Sequence, residues 1–380
     1  MELTAREALI TLNLVPGLGS VRIRSLLEFF GSAELALAAP VQMLTQVPRL
    51  GDKLAAALAD WRHCTNVHAE LEYAERVGAR VVTFLEAEYP DALRRMSDPP
   101  CVLYVLGEWR QEDAARAVSV VGTRVATPYG LSCARRFARE LADTAGCTIV
   151  SGLARGIDTA AHWGALDAGG RTIAVLGGGL AQLFPAENAP LVEQIVSGHG
   201  AVVSEFPMNM RPSRNSFPQR NRIVAAWSKA TLVAEAAGRS GALHTARISA
   251  ELYGNTVFAI PGAITAPSSA GCHELIRDGA VLCTSPHEII ADMGWSGVPR
   301  QLSLFENTPA ASPAAQQQDP ILAAVAAGHA TLDALCAALG LSAGELTPQL
   351  MRLQIERKLI PTTGGKYEVG STNDEHARRL

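Results

Sequence analysis

The chain has no apolar run long enough to cross a bilayer and no basic-then-apolar stretch at its N-terminus, so neither a membrane span nor a signal peptide is expected. Its seven cysteines, at positions 64, 101, 133, 147, 272, 283 and 336, never fall at Cys-x-x-Cys spacing. An odd, dispersed set argues against a disulfide framework or a cysteine zinc site and fits reduced thiols in a cytoplasmic protein. No H-E-x-x-H, G-x-S-x-G or G-x-x-x-x-G-K-[ST] occurs, which leaves zinc-protease, hydrolase-elbow and Walker-type ATPase chemistry without an anchor. A surplus of positive charge is missing too: 33 Lys and Arg stand against 37 Asp and Glu, a net charge of −4. Any surface for a polyanion must therefore be local.

At 380 residues and 48% hydrophobic composition, the chain can hold two or three domains, each with its own core. Residues 1–62 contain a repeat, Val15-Pro-Gly-Leu-Gly19 and Val47-Pro-Arg-Leu-Gly51, each between helical segments. This resembles the helix-hairpin-helix motif, whose turn amides hold a DNA phosphate, and reads equally as a small helical bundle with tight turns. From residue 63 a helix, Val67–Val77, leads to strands Arg80–Phe84 and Cys101–Leu106.

From residue 117 to about 293, strands alternate with helices. The β-branched runs Val118–Val121, Thr148–Val150, Thr172–Leu176, Ala201–Ser204, Ala230–Val233, Thr256–Ile260 and Val281–Leu282 predict strands. Helical patterns such as Ala134–Ala145, Thr159–Ala168 and Leu191–Ser197 lie between them. That order predicts an α/β fold: an extended Rossmann-like, doubly wound, mostly parallel sheet spanning residues 63–296. Ligands of such sheets sit at the carboxyl ends of the strands, where this chain places its glycines.

Residues 297–320, rich in Pro, Ala, Gln and Ser, read as a flexible linker. Within it, Gln301-Leu302-Ser303-Leu304-Phe305 resembles the short peptide that docks on the bacterial sliding clamp; the alternative is an incidental apolar spot. Helical patterns at Ile321–Ala327, Thr331–Leu339 and Glu345–Arg357, followed by a two-stranded wing over 360–369, predict a winged helix over 321–370. Its third helix carries Gln349, Arg352, Arg357 and Lys358 beside Glu345 and Glu356, a thin basic cover, so DNA contact and protein contact both stand. Residues 371–380 read as a frayed tail.

Chemistry concentrates in the strand-end turns. A strand breaking at Gly122 and feeding a helix presents free amides at Gly122–Thr123, with Arg124 in the turn to add a charged fork for phosphate. A dinucleotide site would need G-x-G-x-x-G here and an acidic residue about 20 positions later; neither is present, and no cofactor is expected. Ser151-Gly-Leu-Ala-Arg155-Gly156-Ile-Asp158 is a second glycine turn. Asp158 and His162, four residues apart, could be a base with its orienter, but a capped structural pair is the favoured reading. The segment Arg211–Arg222 holds four Arg and no acid in twelve residues, with Phe217 interleaved. Guanidinium forks plus a ring for base stacking fit single-stranded nucleic acid, against the plainer reading of an exposed basic loop entering a helix at Asn221. Ser240 and Gly241 open another helix and are candidate anion donors, with Glu235 nearby as an orienter or a hydrolytic carboxylate.

Taken together, Val120-Val-Gly-Thr-Arg124, Ser151–Asp158, Ala161-His162, Thr172–Gly177, Ser204-Glu-Phe-Pro207, Phe217-Pro-Gln-Arg-Asn-Arg-Ile223, Ser240-Gly-Ala-Leu-His-Thr245 and Pro261-Gly262 resemble the DNA-processing protein A (DprA/Smf) family over about residues 80–290. The resemblance implies single-stranded DNA binding, dimerisation through the sheet domain and loading of the RecA recombinase onto incoming DNA in natural transformation, with no chemical step. It places nucleic-acid contacts at Arg124, Phe217, Arg220, Asn221 and Arg222; joined to the turns and helix starts read above, the expected contacts are Gly122, Thr123, Arg124, Arg155, Gly156, Ser216, Phe217, Arg220, Asn221, Arg222, Ser240 and Gly241, with no catalytic or metal-binding residue. The rival is a nucleotide-binding or nucleotide-hydrolysing Rossmann-like enzyme. Such enzymes place a Pro-Gly-Gly-x-Gly-Thr turn before a catalytic Glu, whereas Glu235 here precedes its turn.

Overall fold

The computed structural model describes residues 3–295, 320–355, 359–362 and 366–369. The proposed linker short of Pro320, the Gln301–Phe305 peptide and the 371–380 tail lie outside the described residues, as do Glu356, Arg357 and Lys358. The chain forms two compact units, Met1–Leu302 and Ser303–Leu380.

The first unit is built on one nine-stranded sheet. Its strands are β1 (Arg80–Thr83), β2 (Val102–Gly107), β3 (Ala117–Gly122), β4 (Thr148–Ser151), β5 (Thr172–Val175), β6 (Gly200–Ser204), β7 (Ala230–Glu235), β8 (Thr256–Ala259) and β9 (Val281–Leu282). They lie in the order β1-β2-β6-β5-β4-β3-β7-β8-β9. From β6 to β9 every pairing is parallel, while β1 and β2 add an antiparallel edge. Apart from the short, exposed β9, the parallel strands are buried on both faces, which is why they read as unbroken apolar, largely β-branched runs. Connections from β3 run toward β4 and those from β7 toward β8, so the β3–β7 boundary is a switch point. A crevice opens there at the strands' carboxyl ends.

Seven helices precede the sheet, and their core is continuous with it. Leu9, Leu26, Leu44 and Leu58 pack in one cluster with Tyr104 of β2 and Val202 of β6. The boundary drawn at residue 62 falls inside the helix Trp61–Cys64, within one compact unit.

Most strand and helix ends shift by a residue or two from the sequence reading; the helix expected at Ala134–Ala145 begins six residues earlier, at Pro128, and one further difference is consequential. The segment read as a basic loop entering a helix at Asn221 turns helical five residues earlier: the helix runs Ser216–Trp227. Two reciprocal bonds fix that start, Ser216 N–H donating to Ser213 Oγ (3.1 Å) and Ser213 N–H to Ser216 Oγ (2.9 Å). Pro218 fits the first turn because its missing N–H would have had no partner there.

The second unit has helices Pro320–Ala326, Leu332–Leu339 and Ala343–Ile355 and an antiparallel pair, β10 (Leu359–Thr362) and β11 (Lys366–Val369). Ile321, Leu335, Leu346, Leu350, Leu353 and Leu359 form its core. This is the winged helix expected from sequence, its first helix beginning one residue earlier.

Candidate nucleic-acid interface

A cavity of about 680 Å³ fills the crevice at the switch point. Gly122 from the end of β3, Arg124 from the turn after it, Phe217, Arg220 and Asn221 from the helix Ser216–Trp227, and Ser240 and Gly241 from the start of the helix Gly241–Tyr253 all line it. Residues 100 positions apart in sequence thus share one wall.

Arg124 is exposed, and its guanidinium carbon stands 4.5 Å from the centroid of the Phe217 ring. A cation over an aromatic face is held by the ring quadrupole, which orders a long side chain without neutralising it. Phe184 approaches the same ring at 6.2 Å between centroids, tilted by 51°. Gly177, at the end of β5's strand-to-turn transition, makes room: a Cβ there would come within 2.7 Å of Phe217 Cδ1. The ring is half-buried.

Arg220 is buried, donates from Nη1 to the carbonyl of Val175 and from Nε to Asn221 Oδ1 at 3.2 Å, and lies beside Asp158. Burial brings its guanidinium down to about 10, partly opposed by the Asp158 carboxylate. Asp158 accepts from the amides of Gly152 (3.1 Å) and Ala154 (3.4 Å), and burial pushes its carboxyl up despite those bonds and Arg220. Gly152 is small because the Arg220 guanidinium occupies the space of its missing Cβ. Two strand-end glycines are therefore there to admit protein side chains: Gly152 for Arg220 and Gly177 for Phe217.

Other residues expected in the site are engaged elsewhere. The Thr123 amide donates to the Glu235 carbonyl at 2.8 Å, which ties the β3 turn to β7. Gly156, at φ +77°, holds the next helix against that turn, since a Cβ would overlap the Thr123 carbonyl oxygen; it lines an adjoining cavity on the far side of Arg124. Arg155 is exposed and bridged to Glu187 by two bonds, 2.6 and 2.7 Å. Ser216 Oγ is turned inward onto the Gly177 carbonyl. Arg222 faces away from the cavity: it is buried against Glu205 and against Asp98, at 3.2 Å to Oδ2. Helical spacing explains this, because positions 217, 220, 221 and 224 share one face while 219 and 222 lie opposite.

Asp158 and His162 do not pair. His162 Nδ1 lies 2.6 Å from Thr172 Oγ1, which itself donates to the Ile149 carbonyl, so Nδ1 carries the proton. Glu235 accepts at both carboxylate oxygens from Thr127, amide and hydroxyl, each at 2.8 Å, and thereby anchors the helix Pro128–Ala145.

Sequence reasoning passed over Arg214, Asp158, His244 and Thr245 as lining residues. Arg214 belongs to the basic segment already singled out, and His244 and Thr245 follow Ser240–Gly241 within one helical turn, so both signals were present. Among the described residues, Arg124 and Arg214 form no ion pair. The cavity therefore presents two cations without ion-pair partners among the described residues, a third, Arg220, beside Asp158, an aromatic ring and a helix N-terminus, an arrangement that suits a phosphate-bearing polymer with unstacked bases.

Comparison with known proteins agrees with this picture. Residues 80–294 match the family model described as DNA recombination-mediator protein A, and residues 305–365 match a DprA winged helix domain. Protein Smf of Synechocystis is 33% identical, with 93% of this chain and 96% of that protein covered. The crystal structure of DNA processing protein A from Streptococcus pneumoniae superposes with a TM-score of 0.65 at 32% identity, covering 77% of this chain and 99% of that one. DNA processing protein A from Helicobacter pylori, solved for its single-stranded DNA binding mode, gives a TM-score of 0.50 at 30% identity, covering 57% of this chain and 95% of that one.

Proposed function

The chain belongs to the DNA recombination-mediator protein A family, and from that premise we propose that its sheet domain binds single-stranded DNA without base specificity. Arg124 and Arg214 meet phosphates, Arg220 sets the floor of the site, and a base stacks on Phe217. The bound strand is protected and handed to the RecA recombinase for homologous recombination in natural transformation. The protein acts as a homodimer through the sheet domain and carries out no chemical step. The observation that carries the DNA reading is Arg124 over Phe217 at the mouth of the switch-point cavity. Recombinase loading and dimerisation are supported by the family alone. The carboxylate that a nucleotide hydrolase would use, Glu235, has both oxygens bonded to Thr127.

The test is fluorescence anisotropy of an oligo-dT and of a duplex, titrated with the wild type, Arg124→Ala and Phe217→Ala over a salt series. Preference for the single strand, with affinity lost in both variants, supports the reading. Weak binding that ignores both strandedness and the two substitutions overturns it.

A further inference from the structure

The loop after β5, residues 176–188, holds a large apolar side chain in solvent. Phe184 is 49% exposed, more so than the half-buried Phe217, whose ring it meets at 6.2 Å between centroids. Burial of an apolar ring is favourable, so a mobile loop would turn it inward. This loop is anchored instead. Its Gly179 and Ala181 amides donate to the Met210 and Met208 carbonyls, at 2.8 and 3.0 Å, and Leu183 packs into the core shared by the N-terminal helices and the sheet. Pro185 is buried, and Asn188 Nδ2 donates to the Leu153 carbonyl and to Thr159 Oγ1, both at 2.9 Å. The chain is thus fixed on both sides of Phe184, and the ring is held outward.

The charges around this loop suit a polyanion. Its one acid, Glu187, is bridged by Arg155 at 2.6 and 2.7 Å, so no carboxylate of the loop is left unpaired. Gly178 packs against Pro212, which a Cβ would approach to 2.9 Å, and Pro212 lies between Arg211 and Arg214. Both arginines are exposed and form no ion pair among the described residues. Phe184 is therefore more than an isolated apolar residue on the surface. It joins Phe217 and a set of uncommitted cations, the combination on which single-stranded nucleic acid stacks and is held.

Spacing decides which strand can use both rings. Stacked bases in a duplex strand rise about 3.4 Å per nucleotide. The two ring centroids are 6.2 Å apart and the rings are tilted by 51°. Neighbouring bases can rest on both rings only in a strand drawn out and unstacked, which a paired duplex does not allow.

We propose that Phe184 is a second stacking platform for single-stranded DNA, taking the base next to the one on Phe217. That role rests on the single-strand reading of the switch-point cavity, extends the site beyond the residues lining that cavity, and accounts for a preference over duplex.

The test is anisotropy of an oligo-dT and of an abasic oligomer of the same length, titrated at low salt with the wild type, Phe184→Leu, Phe184→Trp and Phe217→Ala. Leucine keeps apolar bulk without a ring face, and at this exposed position both substitutions are expected to leave Tm unchanged. Phe184→Leu should weaken oligo-dT by at least about fivefold and leave the abasic oligomer unaffected, while Phe184→Trp binds both as the wild type does. The loss should persist when Phe184→Leu is added to Phe217→Ala. Oligo-dT binding untouched by Phe184→Leu, an equal loss on the two oligomers, a loss shared by Phe184→Trp, or a loss that vanishes in the Phe217→Ala background overturns this role. The switch-point site then still stands where Arg124→Ala and Phe217→Ala weaken oligo-dT. Affinity indifferent to strandedness and to those two substitutions overturns both.

Discussion

Gly152 and the guanidinium of Arg220 compete for one space: a Cβ on Gly152 would overlap Nη1, Nη2 and Cζ of Arg220. The glycine of the second strand-end turn is thereby explained by a side chain 68 residues later. Gly152→Ala is expected to displace Arg220 and to destabilise the protein by about 1–3 kcal/mol, the usual range for overpacking. The strain needs both groups, so Gly152→Ala added to Arg220→Ala should cost little further. Urea denaturation of the two single variants and the double variant checks this. Simple additivity would mean that the two residues do not meet.

Arg124 and Phe217 touch each other but should fail in different ways. Phe217→Ala removes a stacking platform, a loss of about 1–3 kcal/mol for an oligo-dT, and leaves the salt dependence alone. Arg124→Ala removes one phosphate contact, so the slope of log affinity against log salt should fall by about 0.7 on a single strand. Titrations at four salt concentrations distinguish the two signatures. A Phe217 variant with a changed slope would place the ring's role in positioning Arg124 rather than in stacking.

His162 should make the protein acid-sensitive. It is fully buried, and desolvation, with Arg220 adding to it, lowers its pKa from 6.5 to about 3. Below pH 6.5 the unfolded chain takes up a proton that the native ring cannot accept. Stability is therefore complete above pH 6.5 and falls as pH drops toward 3, by up to about 1.4 kcal/mol per pH unit from this group. His162→Asn should flatten the difference in urea midpoint between pH 7 and pH 5 relative to wild type. Equal pH dependence in the two proteins would rule out His162 as its source.

The sheet was legible because its parallel strands, the short exposed β9 apart, are buried on both faces, which forces the β-branched runs that sequence inspection finds most easily. Glycine turns were legible as turns. Their purpose was not, since what Gly152 and Gly177 accommodate comes from a helix two strands further on. The direction of that helix's arginines was hidden by the start of the helix itself. With Ser216 taken as loop, Arg220 and Arg222 count as one basic patch; with Ser216 as the first helical residue they point to opposite sides. Arg155 was misplaced for a related reason, because its partner Glu187 is remote in sequence and a lone arginine in a glycine turn reads as a phosphate ligand.

Arg222 provides the sharpest separation between folding and binding. It shares the Arg-Asn-Arg phrase with Arg220, yet it is buried on Glu205 and Asp98, and Glu205 is in turn reached by Ser20 Oγ at 3.4 Å and, at its carbonyl, by Asn13 at 3.3 Å. The pair thus sits where the N-terminal helices meet the sheet. Removing one partner of a buried ion pair leaves the other uncompensated, and Arg222→Ala should destabilise by about 3–5 kcal/mol. The part that stays folded should bind oligo-dT as the wild type does, since Arg222 lies outside the switch-point cavity. Arg220→Ala should show the reverse emphasis, losing affinity at temperatures where it is still folded. Active-fraction titration of both variants beside their thermal denaturation decides the matter. Loss of affinity in a fully folded Arg222→Ala would return that arginine to the DNA-binding surface.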